Sequence, residues 1–243
     1  VKRTTLAATA VLMLIQTLPA AADSEWKGQL TPYLWASGLG GDLRPFQGAP
    51  TLSFDKSFSD VMDDLDGALF LSGYARQNRF VLLGDYSYSS SSKQGKIAPG
   101  LPARGKLSQR SMTLAAGYRA ISSDEMTLDV LAGLRAWNLK VKTSVAGGMV
   151  QASPSESFVD PLMALRANIA LSPQWSTILY VDAGGFGAGS DRTYQVVATV
   201  NYQMNDQLYL SAGYRKLNVD YRSGGTKVDV TMAGPLLGMT WRF

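Results

Sequence analysis

The chain has no cysteine and no histidine among its 243 residues. Without cysteine there is no disulfide framework and no thiolate metal site. Without histidine the commonest general base is missing, so a serine or carboxylate nucleophile would have to find lysine or another carboxylate as its partner. Charged residues are also sparse, at 17%, against about a quarter in ordinary soluble domains. Long apolar runs are nearly absent as well. The one that exists, Leu6 to Leu18, is about a dozen residues, short of the roughly 20 that a helix needs to cross a bilayer.

That run sits in a recognisable order. Lys2 and Arg3 precede it, and Pro19-Ala20-Ala21-Ala22 follow with small side chains suited to cleavage between Ala22 and Asp23. This is the three-part pattern of an export signal, so residues 1–22 are expected to be a leader and 23–243 the mature protein. Without Lys2 and Arg3 the remainder carries 21 basic and 19 acidic residues. Such a balance gives no reason to expect a nucleic-acid partner.

What fills the rest of the chain is alternation with period two. Met112, Leu114, Ala116 and Tyr118 alternate with Ser111, Thr113, Gly117 and Arg119. Val130, Ala132, Leu134 and Ala136 alternate with Asp129, Gly133 and Arg135. The same pattern recurs around Met163 and Leu165, around Leu179 and Val181, and around Val196 and Val200. Period two means strands. Tyr118, Trp175, Tyr194, Tyr202 and Tyr214 sit near the ends of the apolar faces, as interfacial aromatics do in a membrane barrel. Connections alternate too. Short ones fall at 77–79, 122–125, 172–174 and 205–206, and longer ones at 89–104, 146–157, 187–192 and 223–225.

Ten strands are predicted: 26–38, 66–76, 80–91, 105–120, 126–143, 157–171, 175–186, 192–204, 207–222 and 226–243. The fold class is therefore all-β, a transmembrane antiparallel up-and-down barrel of about 10 strands. Eight or 12 remain open because of residues 39–65, which could be an outer loop, a lumen plug or an extra strand pair.

The chain ends Met239-Thr240-Trp241-Arg242-Phe243, with Leu237, Met239, Trp241 and Phe243 on one face. Here it resembles the bacterial outer-membrane β-barrel families, whose last strand closes on an aromatic residue. With Thr31-Pro32-Tyr33-Leu34-Trp35 and the Gly-Tyr-Arg segments, residues 26–243 resemble the small opacity/porin-like barrels of Gram-negative bacteria, especially their uncharacterised members. The resemblance implies an outer-membrane location, contact with lipid and lipopolysaccharide, and reading of Met239, Trp241 and Phe243 by the barrel-assembly machinery. It implies no cofactor. Outer-membrane barrel enzymes rely on a histidine, so no enzymatic activity is expected, and a histidine-independent hydrolase is the weaker alternative.

Four triplets echo one another: Gly117-Tyr118-Arg119, Gly133-Leu134-Arg135, Ala164-Leu165-Arg166 and Gly213-Tyr214-Arg215. Parity turns the middle residue to lipid and the outer two to the lumen, where the small residue would clear space. Asp85, Asp129, Asp160 and Asp182 share that lumen parity. Arg119, Arg135, Arg166 and Arg215 with these four acids are the candidate site. They would either tie a structural or surface-interacting barrel together or line a narrow pore for ions or small solutes. The four arginines lie at different distances from their nearest turns, so they do not form one ring.

Three minor features remain. Asp60, Asp63, Asp64 and Asp66 lack the spacing of a calcium loop and suit the start of a short helix capped by Ser59 or Asp60, so no metal site is expected. Lys93, Lys96, Arg104 and Lys106 cluster on one long connection and could meet lipopolysaccharide phosphates. Residues 184–190 are glycine-rich but lack the Lys-Ser/Thr ending of a phosphate loop and suit a turn.

Overall fold

The computed structural model describes residues 25–44, 47–48, 51–98, 101–145, 150–152 and 155–243. The leader and the Ala22/Asp23 cleavage position lie outside the described residues. The strands are β1 (Lys27–Trp35), β2 (Gly38–Arg44), β3 (Leu52–Lys56), β4 (Leu65–Gln77), β5 (Phe80–Ala98), β6 (Leu101–Ser122), β7 (Met126–Val145), β8 (Val150–Ala152), β9 (Ser155–Ala170), β10 (Trp175–Gly184), β11 (Arg192–Gln203), β12 (Leu208–Ser223) and β13 (Thr226–Arg242). One short helix, α1 (Phe58–Asp63), precedes β4.

Ten of the strands close a barrel in the order β1-β4-β5-β6-β7-β9-β10-β11-β12-β13, and β13 pairs back onto β1. All pairings are antiparallel between neighbours, so this is an up-and-down barrel. Following ladder partners around the wall from Gln29 returns to the first strand at Gly41, 12 residues further along. That stagger tilts the strands, and with only ten of them the lumen is narrow enough for side chains to fill.

The first strand runs past its nominal end. Trp35 faces Leu236 and Gly38 faces Ala233 in one unbroken register along β13, and the Ala36 amide donates to the Pro235 carbonyl at 2.9 Å. Within 39–65, β2 and β3 form a hairpin that continues the wall, and Leu39 packs on the interior apolar cluster. The α1 cap is Ser57, not Ser59 or Asp60. Ser57 Oγ accepts from the Asp60 amide at 3.3 Å, and the Ser57 amide donates to Asp60 Oδ2 at 3.0 Å. The acids that follow are drawn apart by lysines, Asp64 to Lys56 and Asp66 to Lys106, both at 2.8 Å. No acidic cluster suited to a metal forms among the described residues.

The long connection at 89–104 is a correction to the sequence reading, whereas the one at 146–157 differs only at its far edge and by the short β8. β5 runs to Ala98 and β6 starts at Leu101, paired through Lys96 and Pro102, while β9 starts at Ser155. A serine-rich strand with polar residues on both faces satisfies its backbone in the ladder and keeps both sides wet, so it needs no apolar alternation to persist beyond the membrane.

The outside of the barrel carries the apolar residues. Leu34, Met163, Leu237, Leu134 and Leu114 are all more than half exposed. The belt runs about ten residues along each strand, which at barrel tilt is the ~25 Å apolar band of a membrane barrel. Cation–aromatic pairs mark both of its edges. Arg79 lies over Tyr118 at the end where Lys27 and Phe243 lie, called the near end here, whereas Arg110 lies over Tyr88 and Lys216 over Tyr194 toward the far end.

The inward glycines of the repeated triplets serve the wall rather than the lumen. A Cβ on Gly117 would stand 2.0 Å from the Val130 carbonyl oxygen, and one on Gly133 would stand 2.1 Å from that of Leu114. The neighbouring strand occupies the space, which corrects the expectation that glycine clears the interior.

Phe243 closes the seam. Its amide donates to the Gly28 carbonyl at 3.0 Å, and the Gly28 amide donates back at 2.7 Å. Its ring lies where a Gly28 side chain would be, 2.3 Å from an ideal Cβ. Gly28→Leu should therefore reduce the fraction of protein that migrates as a compact band when unboiled on a detergent gel. An unchanged fraction would show that the seam does not depend on this contact.

Candidate functional site

All eight predicted lumen residues point inward, and all but Asp85 are at most 9% exposed. They assemble into distinct groups rather than one ring. At such burial an arginine or aspartate is costly unless it is paired and its remaining donors and acceptors are filled.

Nearest the near end, Arg119 and Asp129 face each other across the β6–β7 hairpin. Arg119 Nε donates to Asp129 Oδ1 at 2.8 Å and Nη2 to Oδ2 at 3.3 Å. The Tyr74 hydroxyl, from β4, donates to Asp129 Oδ2 at 2.9 Å and accepts from Arg119 at 2.7 Å. Arg166 faces the same Asp129 from β9, but only at 3.6 Å, with its guanidinium 4.3 Å from the Tyr74 ring centre.

Farther along, two ties span the wall. Arg135 reaches past β9 to Asp182 on β10, with Nη1 to Oδ1 at 3.0 Å and Nη2 to Oδ2 at 2.5 Å, a bidentate pair. Its Nε donates to Thr113 Oγ1 at 2.9 Å, and Nη1 also reaches Thr193 Oγ1 at 3.3 Å. Arg215 on β12 crosses the lumen to Asp85 on β5 at 3.0 Å and donates to Gln195 Oε1 at 2.7 Å. The Tyr33 hydroxyl joins this pair, accepting from Arg215 and donating to Asp85 at 2.9 Å.

Asp160 differs. It sits opposite Arg135 in the ladder, yet among the described residues it makes no ion pair. Neutral donors hold it: Trp137 Nε1 at 3.0 Å, the Ser190 amide at 2.6 Å and Ser190 Oγ at 2.9 Å. The glycine-rich turn makes this possible. Gly185, Phe186 and Gly187 all have positive φ, folding Ser190 back over the barrel, where it is fully buried.

The sequence reading missed Tyr33, Tyr74, Thr113, Trp137, Ser190, Thr193 and Gln195 as partners. All but Ser190 share lumen parity with the charges, which was the available signal. Ser190 depends on the turn geometry and had none.

The lumen is not polar throughout, which is a further correction. Toward the far end, Trp35, Phe70, Trp137, Leu217, Val219, Tyr221, Val228, Met232 and Leu236 pack into one apolar cluster across the interior. Leu217 and Val219 are at most 1% exposed. Phe158 and Tyr221 stack at 4.2 Å between ring centres. Toward the near end there remains a cavity of about 140 Å³, bordered by Tyr33, Tyr74, Asp85, Arg166, Tyr180 and Arg215 among others.

The outer cations divide. Lys106 is spent on Asp66. Lys93, Lys96 and Arg104 lie on the extended β5–β6 ladder, and their side chains lie outside the described residues. Met239, Trp241 and Phe243 all face outward, about half exposed or more.

The fold is thus a closed ten-stranded antiparallel barrel with an apolar outside and a tied interior. No family model matches the chain, and no curated protein matches it. Among solved structures it is similar to the outer membrane protease OmpT from Escherichia coli, at 11% identity and a TM-score of 0.53, covering 94% of this chain and 99% of that one. Weaker likenesses are to the attachment invasion locus protein Ail of Yersinia pestis, bound to a heparin analogue (11% identity, TM-score 0.39, 90% and 99% covered), and to Neisserial surface protein A (12%, 0.35, 91% and 99%). The fold neighbours are bacterial outer-membrane β-barrel proteins, and at these identities the likeness is one of fold alone.

The ties yield a stability prediction. Asp182→Ala leaves the Arg135 guanidinium buried without its carboxylate and should cost about 3–5 kcal/mol. The double variant Arg135→Met/Asp182→Leu should recover most of that loss. Urea unfolding in lipid vesicles measures both, and equal losses in the two variants would contradict the pairing.

Proposed function

We propose that this chain is an integral outer-membrane barrel with a structural or surface-interaction role and a non-conducting lumen. The near end, with Lys27, Phe243 and the short turns, faces the periplasm, and the extended β5–β6–β7 wall stands above the outer leaflet. The observation that carries the reading is the apolar cluster around Trp137, Leu217 and Val219. A conducting pore needs a continuous wet path, and side chains packed to near-zero exposure leave none at that level.

The partners follow from the surface. Lipid covers the apolar belt. Arg110 beside Tyr88 and Lys216 beside Tyr194 stand at its outer edge, where they suit lipopolysaccharide phosphates. Lys93, Lys96 and Arg104 lie farther along the β5–β6 ladder, and Met239, Trp241 and Phe243 present the strand that the assembly machinery would read. Proteolysis, the activity of OmpT, is not carried over, since this chain has no histidine to serve as a base.

The alternative is a small pore for ions or solutes using the lumen Arg and Asp residues. It would require the apolar layer to part. Planar-bilayer recording of the refolded protein separates the two: a folded barrel that inserts silently is expected, and discrete reproducible steps would overturn the closed-lumen reading.

A further inference from the structure

The eight predicted lumen charges are balanced in number but not in place. Toward the near end, Arg119 and Arg166 share a single carboxylate, Asp129, and Arg242 lies close to Arg166. Arg119 and the Tyr74 hydroxyl take up both oxygens of Asp129. Arg166 is left with the 3.6 Å contact and the face of Tyr74, and among the described residues it donates no hydrogen bond. Arg242 stacks on Tyr209 at 3.7 Å, with its Nε buried and unpartnered. Buried cations that lack a full counter-ion create a local positive potential in a low dielectric.

This unbalanced group borders the cavity. Arg166 lines it, as does Arg215, whose Nε also lacks a partner. The Tyr180 hydroxyl lies near Asp182 but makes no well-formed hydrogen bond. Leu83, Ile178, Val197 and Leu236 give the same cavity an apolar side. Its volume of about 140 Å³ is close to that of a cavity that holds benzene, about 150 Å³. Gln29, Asn201 and Thr240 form part of its lining, and each lies two residues from the periplasmic end of its strand. The apolar cluster shuts the opposite side.

We propose that the lumen holds a binding site, entered from the periplasm, for a small organic monocarboxylate. The carboxylate sits on Arg166 and a ring-sized apolar body lies against Leu83, Ile178 and Val197. A charge-assisted bond to Arg166 completes a cation that the protein leaves half-satisfied. The apolar wall disfavours a fully hydrated inorganic anion.

The test is calorimetric titration of the refolded barrel in detergent micelles with benzoate, with its uncharged analogue benzamide and with inorganic phosphate. Benzoate should bind saturably, about tenfold or more tighter than benzamide. Arg166→Gln should abolish that preference. Ile178→Phe, which fills the cavity and removes no charge, should weaken both aromatic ligands and keeps the test open should Arg166→Gln fail to fold. Absence of saturable benzoate binding, or binding unchanged in Ile178→Phe, would overturn the proposal. Phosphate binding as tightly as benzoate would overturn its organic character.

Discussion

A guanidinium drawn into a ten-stranded barrel needs a carboxylate inside, because a buried charge left without its partner is costly. Arg135 and Asp182 meet this constraint with a bidentate pair that bridges β7 to β10 and, through Thr113 and Thr193, also engages β6 and β11. Arg215 does the same between β12 and β5. Hydrogen bonds between neighbouring strands fix each strand only to the next. These side chains fix strands that are not neighbours, so the cross-section of the barrel depends on them.

The two halves of the interior handle burial by different means. Toward the near end the filling is mixed: both oxygens of Asp129 are engaged, and Val81, Leu131 and Leu162 belong to a second apolar cluster. Beyond Arg135 the filling is aromatic and aliphatic, as in the core of a soluble barrel. Asp160 lies at the boundary, where neutral donors replace an arginine. The layer above it is packed with apolar side chains, and the proposed closed lumen rests on that packing.

Strand positions and the inward or outward sense of nearly every residue were legible from alternation alone, since one slip in register would have put Asp129 or Arg135 into lipid. The eight lumen charges were found for that reason. Their pairing was not legible. Arg119–Asp129 follows from a short hairpin, but Arg135 bypasses Asp160, its ladder neighbour, for Asp182 one strand farther, and barrel stagger decides that choice. The apolar filling is not legible because Leu217, Val219 and Tyr221 follow Arg215 on the inward face of β12, and their partners Trp35, Phe70 and Trp137 come from three other strands that only barrel closure brings together. The tall wall at 89–104 was read as loop because polar residues on both faces of a strand leave no periodicity to detect.

The five tryptophans divide in a way that tests the closed, half-dry barrel directly. Trp26, Trp175 and Trp241 face outward, and Trp35 and Trp137 lie inside. Single-tryptophan variants in vesicles can be exposed to brominated lipid and, separately, to aqueous acrylamide. Brominated lipid should quench Trp175 and Trp241, while Trp137 should resist both quenchers. Acrylamide reaching Trp137 as readily as a solvent-exposed tryptophan would mean that water fills the lumen at that level, and the closed-barrel account would fail.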